Sequence, residues 1–322
     1  MSAWSTWEKI LLGLILATYC VFGFSIDGFL SPYAVADSTA NFAEKTIVAL
    51  AMAMLIIARE IDLSVAATMT LCSLAMGFAM QAGADTGWMV VAALLTGLLC
   101  GFFNAWLVTR LAIPSIVVTI GTLSLYRGLA QVLLGDQAIT GYPDTLVLWG
   151  NGTLADVFED LPWLILPLEC VVMLLLALVV GIYMHKSVHG RRIYAMGANA
   201  TAAQFSGIDV ERYRWGLFVF TGLMSAVAAV LLTGRIGSTR PNLAMGWELD
   251  IITMVILGGV SIHGGRGSIT GTVLAAVLMG VFTFGLAMLN VKGIVISMFM
   301  GGMLILAMVL PRYLPRQFTH TH

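Results

Sequence analysis

HKSVHGRRIYAMGANATAAQFSGIDVERYR, residues 185–214, is a polar and basic island between two long apolar runs. It carries Lys186, Arg191, Arg192, Arg212 and Arg214, five of the sixteen lysines and arginines in the chain. The flanking sequence is so hydrophobic that this island is where the protein meets water and a soluble partner. Ala200, Ala202, Ala203 and Phe205 add a short apolar pattern at helical spacing, which predicts a docking helix on the cytoplasmic side.

Working outward, 59% of the 322 residues are hydrophobic and 10% are charged, with a mean hydropathy of +0.95. A soluble domain carries roughly a quarter charged residues, so the composition is that of a polytopic membrane protein. A helix needs about 20 apolar residues to cross the hydrocarbon layer, and lipid-facing backbone must be satisfied within a helix or a closed barrel. Long runs without alternation exclude the barrel and predict an all-α fold.

Ten spans are expected, near 10–25, 45–59, 64–82, 88–109, 115–133, 163–184, 215–233, 248–261, 268–289 and 295–310. The second and eighth are short, with charged ends (Arg59, Glu60, Asp62; Glu248, Asp250), and read as broken or re-entrant helices. No small-residue cleavage site follows the first run, which therefore reads as a span and not a removed signal; Trp4 and Trp7 would sit in the interfacial belt.

Placing both termini in the cytoplasm puts Lys9, Arg59, Arg110, the five island cations, Arg266, Arg312 and Arg316 on that side. Lys45, Arg235, Arg240 and Lys292 fall outside, and this excess of inner cations satisfies the positive-inside rule. The outer loops are acidic; the longest, 134–162, contains turn signals and predicts a small ordered lid. Glu60-Ile61-Asp62-Leu63 and Glu248-Leu249-Asp250-Ile251 open spans five apart, a hint that spans 2–5 and 7–10 form an inverted repeat.

The chain has no phosphate loop, zinc-protease helix or nucleophile elbow. Gly264, Gly265 and Gly267, in GGVSIHGGRGSITG at 258–271, read as a tight turn between close-packed spans. Arg127 and Glu169 are the ionisable groups within spans that a proton or sodium relay could use, and neither has an evident partner. The histidines read as solvated loop residues, and Cys20, Cys72, Cys100 and Cys170 as small core residues with no metal-ligand spacing. Nucleic acid is not an expected partner.

GRRIYAMGANATAAQFSGIDVERYR at 190–214 resembles the membrane permeases of ribose-type ABC sugar importers. So do REIDLSV at 59–65, NAWLVTRLAIPSIVVTIGTLSLYRGLA at 104–130 and WELDIITMVILGGVSIHGGRGSITGTVLAAVLMG at 247–280. The four motifs occur in family order and cover nearly the whole chain. The resemblance implies a single permease domain over 1–322, a second permease copy or paralogue, a periplasmic sugar-binding protein, and a cytoplasmic ATPase that binds the ATP, leaving this chain without a cofactor or catalytic residue. It also implies that the 185–214 loop couples to that ATPase. Gly190, Arg191, Arg192, Ala200, Ala202, Ala203, Gly207 and Asp209 are the matching positions.

Many members carry two glycines before Ile-Asp-Leu-Ser, where this chain has Arg59 and Glu60, so the tightness of that helix break is open. Sugar would need only transient contacts, for which Asn104, Thr119, Thr122, Ser124 and Thr253 are candidates. Bonds to neighbouring helices are the competing role for each. Gly121, Gly128, Gly271 and Gly280 are candidates for the interface between permease chains, with intrachain or lipid-facing roles equally open. A self-powered carrier or channel for a small polar solute is the alternative function.

Overall fold

The computed structural model describes residues 6–158 and 164–313. Trp4, Glu159, Asp160 and Arg316 lie outside the described residues. Ten helices correspond to the ten apolar runs: α1 (Thr6–Ser25), α2 (Pro32–Ile57), α3 (Val65–Gln81), α4 (Thr86–Arg110), α5 (Ser115–Leu134), then α8 (Leu168–Lys186), α11 (Val210–Ile236), α12 (Trp247–Leu257), α13 (Ile269–Met288) and α14 (Gly293–Tyr313). Between α5 and α8 lie β1 (Ile139–Thr140), α6 (Asp144–Asn151) and α7 (Leu154–Val157); between α8 and α11 lie α9 (Val188–Ala198) and α10 (Ala200–Phe205); β2 (Ser238–Thr239) follows α11. Seven of the described helices, α1, α2, α4, α5, α8, α11 and α13, are long and apolar enough to cross a membrane.

α2 organises the bundle. Ser31 caps its N-terminus by accepting the Ala34 amide at 3.2 Å, and Pro32 starts it with a preset φ. The expected short second span is corrected here: α2 runs for 26 residues, because Pro32–Glu44 continues the helix outward beyond the apolar run. Of its apolar window 89% is buried, against 28% for α5 and α8. It packs against α8, α11, α12 and α13. The short members are α3, with 17 residues, and α12, with 11.

Helices approach closely where side chains vanish. Gly97 and Gly101 of α4 form a small-xxx-small pair against α11. A methyl group on Gly97 would overlap the Gly222 carbonyl, and one on Gly101 the Phe218 carbonyl. Gly271 abuts the Gly258 carbonyl and Gly280 the Phe42 ring, so both serve intrachain packing, while Gly121 and Gly128 face open space. Cys72, Cys100 and Cys170 are buried as expected, but Cys20 is exposed on α1. Trp7 also departs from a purely interfacial role: its Nε1 donates to the Leu257 carbonyl at 2.8 Å and closes the end of α12.

Overpacking the α4–α11 crossing costs about 3 kcal/mol. Gly222→Leu is therefore expected to lower the melting temperature of the detergent-solubilised protein clearly, while Gly121→Leu leaves it near the parent value.

Candidate functional site

The island folds as two short helices between α8 and α11, and its caps are written in the sequence. Ser187 accepts the Gly190 amide at 3.0 Å to start α9. Asn199 accepts the Ala202 amide at 3.0 Å to start α10, and Asp209 accepts the Arg212 amide at 3.0 Å to start α11. Gly207, at φ +83°, ends α10 in the left-handed conformation, and the Ile208 amide returns to the Ala203 carbonyl at 3.0 Å. His185 and Lys186 belong to the last turn of α8, and Val210–Arg214 to the first turns of α11, so the inter-span element is 187–209.

One face of this element is locked to the bundle. Gly190 lets α9 turn back over the Met184 carbonyl. At Gly197 a methyl group would overlap the Ile57 carbonyl, so α9 touches the end of α2 backbone to backbone. The Gly265 amide donates to the same Ile57 carbonyl at 2.8 Å, bringing in the turn after α12. Tyr194 donates to the Gly267 carbonyl at 2.9 Å, and burial pushes its hydroxyl up to about 12.

The other face is bare. Arg191, Arg192, Thr201, Ala202, Gln204 and Asp209 are exposed, and Phe205 is 90% exposed, whereas Ala203 is buried beneath them.

The Arg59–Glu60 departure is resolved by backbone geometry. Arg59 adopts φ +68°, the conformation a glycine would supply, and the Arg59 and Glu60 amides return to the Ile56 and Leu55 carbonyls. The break is as tight as a glycine would make it. Arg59 Nε donates to the His263 carbonyl, and Glu60 pairs with Arg214 at 2.7 Å, so the two charged residues tie the turn to neighbouring segments.

Four of the five candidate path residues are turned inward. Asn104, 1% exposed, donates through Nδ2 to Ser64 Oγ at 2.8 Å and lies 3.5 Å from Asp62 Oδ2; Tyr126 donates to its Oδ1 at 3.4 Å. Thr119 donates to the Ile61 carbonyl, Thr122 to the Thr119 carbonyl and Thr253 to the Leu249 carbonyl. Ser124 alone of the five is exposed.

The ionisable groups of the spans are corrected as well, since both have partners. Arg127 Nη1 reaches Thr70 Oγ1 at 2.7 Å and the carbonyls of Pro241 and Leu243 at 2.9 and 2.8 Å. Glu169 is 1% exposed and lies 3.9 Å from Arg235, which pairs with Glu44 at 2.7 Å.

At the opposite end of the bundle a cavity of about 480 Å³ opens between the end of α5 and the segment after β2. Gln131, Asp136, Gln137, Arg240 and Asn242 line it. Its two rims are clamped by the antiparallel β1–β2 pair, Ile139 opposite Thr239 and Thr140 opposite Ser238, and the Arg127 bonds hold its floor. The 134–162 loop contains β1, α6 and α7.

A helical bundle with seven described helices long and apolar enough to cross a membrane, and a capped polar element exposed between two of them, has the build of a membrane permease. The family model for the permease component of branched-chain amino acid transport systems matches residues 35–308, and the chain belongs to that family. It is a multi-pass inner-membrane permease subunit of an ABC importer and not an enzyme. The chain is 36% identical over 303 residues to the autoinducer 2 import system permease protein LsrD of Yersinia enterocolitica, covering 94% of this chain and 91% of that one. LsrD of Escherichia coli K12 matches with the same identity and coverage. Among solved structures, PsaBC from Streptococcus pneumoniae in complex with Fab shares the fold, with a TM-score of 0.51 and 18% identity over 88% of this chain and 93% of that chain.

Removing the Asn104 amide leaves Asp62 short of donors, at a cost of about 1–3 kcal/mol. Asn104→Leu is thus expected to lower folded yield and melting temperature, while the solute preference of the surviving protein stays the same in competition uptake.

Proposed function

We propose that this chain forms one half of the translocation path of an ATP-driven importer for a monosaccharide or a related polyhydroxylated signal, and that α9–α10 seats in a groove of the ATPase. The observation that carries the reading is the two-faced docking element. One side is fused to α2 through Gly197, and the other presents Phe205 and Ala202 with Arg191 and Arg192 alongside. Gly190, Ala200, Ala203, Gly207 and Asp209 shape and cap that element; Arg191, Ala202 and Phe205 meet the partner, and Arg192, bonded to the Tyr213 hydroxyl, stands alongside. ATP is bound by the partner, and this chain contributes no cofactor.

In this reading the chain is a single domain over 1–322, with ten spans and both termini in the cytoplasm. Loop 185–214 faces the ATPase and loop 134–162 the periplasmic binding protein. A second copy or a paralogue completes the path. The order of helix lengths from α2 to α5 (26, 17, 25 and 20 residues) recurs in outline from α11 to α14 (27, 11, 20 and 21 residues), which supports the inverted repeat.

The relatives named above import autoinducer 2. The amide, carboxylate and guanidinium groups around the outer cavity suit a solute rich in hydroxyls, and Ser124 continues that polar surface along α5. The cavity offers little apolar surface for the side chain of a branched amino acid.

Losing an exposed aromatic anchor at a protein interface costs about 2 kcal/mol or more. Phe205→Asp is expected to cut the ATPase recovered with the permease from co-expressing cells by about tenfold or more, and to abolish ATP hydrolysis stimulated by the loaded binding protein in nanodiscs. Unchanged recovery would remove the docking role. Solute movement by the purified chain alone, driven by an ion gradient, would establish the self-powered alternative.

A further inference from the structure

Between α8 and α11, which barely touch elsewhere, lies a cleft of about 660 Å³. Its walls are amphipathic along one axis. Val179 and Val180 of α8, Leu217 and Phe220 of α11, and Met54 of α2 behind them make the apolar part. At the α9–α10 end the lining changes to His189, Arg192, Arg212 and Tyr213.

Those polar groups are arranged for an anion. Tyr213 lies 2.8 Å from His189 Nδ1 and 3.2 Å from Arg192 Nη1, which fixes the positions of both. The Arg212 guanidinium makes no hydrogen bond or ion pair among the described residues. His189 sits in the first turn of α9 and Arg212 in the first turn of α11, so two helix N-termini add positive ends at the mouth. Asp209 also lines the cleft, but its side chain is engaged in capping α11. The wall toward the bilayer is open: Val179 is 62% exposed, and Gly216 leaves a gap where a side chain would stand.

The geometry points to a binding site for one anionic phospholipid, its phosphate between Arg192 and Arg212 and an acyl chain along Val179, Leu217 and Phe220. A neutral detergent would leave Arg212 unpaired, a zwitterionic lipid would bring a quaternary ammonium as well as a phosphate against the cations of the cleft, Arg192 and Arg212, and a free phosphate would leave the apolar wall wet. A basic pocket between spans at the membrane surface is the setting in which anionic headgroups bind. The lipid bridges α8 and α11 directly beside the docking element, so it braces the frame from which α9–α10 projects. This inference rests on the membrane placement of α8 and α11 and is independent of the solute.

The test uses the full chain with its ATPase in nanodiscs of phosphatidylcholine, with and without phosphatidylglycerol, and native mass spectrometry after release into detergent. The parent is expected to retain one phosphatidylglycerol, Arg212→Ala with Arg192→Ala to reduce retention about tenfold, and Gly216→Trp, which fills the apolar wall without touching the charges, to reduce it as far. Melting temperature checks that each variant is folded. Equal retention by parent and both variants overturns the site. So does loss with the arginine change alone combined with displacement by inorganic phosphate, which would leave a headgroup-free anion site, and so does retention only when the ATPase is absent, which would give the arginines to the partner.

Discussion

The Ile57 carbonyl, at the C-terminal end of the most buried helix, is where three distant segments converge. It accepts the Gly265 amide at 2.8 Å and is pressed by the bare Cα of Gly197. Any side chain at Gly197 would push α9 off α2, and Gly265 holds φ +72°, a conformation that a residue with a Cβ rarely adopts. The α9–α10 element, the central helix and the turn between α12 and α13 therefore share one backbone contact with no flexible side chain between them. A displacement of α9–α10 must move α2, and α2 contacts α8, α11, α12 and α13.

Charge inside the bundle follows a second constraint. A buried ionised group is tolerated only when it is paired and hydrogen-bonded. Arg235 pairs with Glu44 at 2.7 Å, Lys45 with Asp250 at 2.6 Å, and Arg127 satisfies loop carbonyls. These groups hold helix ends and connecting segments in place. Asp62 is served in the same way by Ser64 and Asn104, whose bonds fix the break between α2 and α3. Polar residues that look like a path in sequence are in large part the fasteners of this fold.

Much was legible before the fold was known. The ten apolar runs became ten helices, the Gly264–Gly265 turn proved a site of close approach, and the spacing of Ala200, Ala202, Ala203 and Phe205 marked the short helix α10. The small-xxx-small spacing of Gly97 and Gly101 is also present in the sequence, but nothing local says which helix it meets. The length of α2 was not readable: Pro32–Glu44 is too polar to register as a span, and it is helical because it leans on the rest of the bundle.

Composition and local hydrogen bonding alone thus determine that this chain is a helical membrane protein with a capped polar element between two spans, because apolar length and cap geometry are properties of short segments. Which face of each span turns inward was left to the tertiary structure. Spans hydrophobic all round carry no strong directional signal, so Asn104, Thr119, Thr122 and Thr253 could not be told from lining residues until their partners were in place. The cleft between α8 and α11 and the clamp at β1–β2 also arise only from packing, since each joins residues dozens to more than a hundred positions apart.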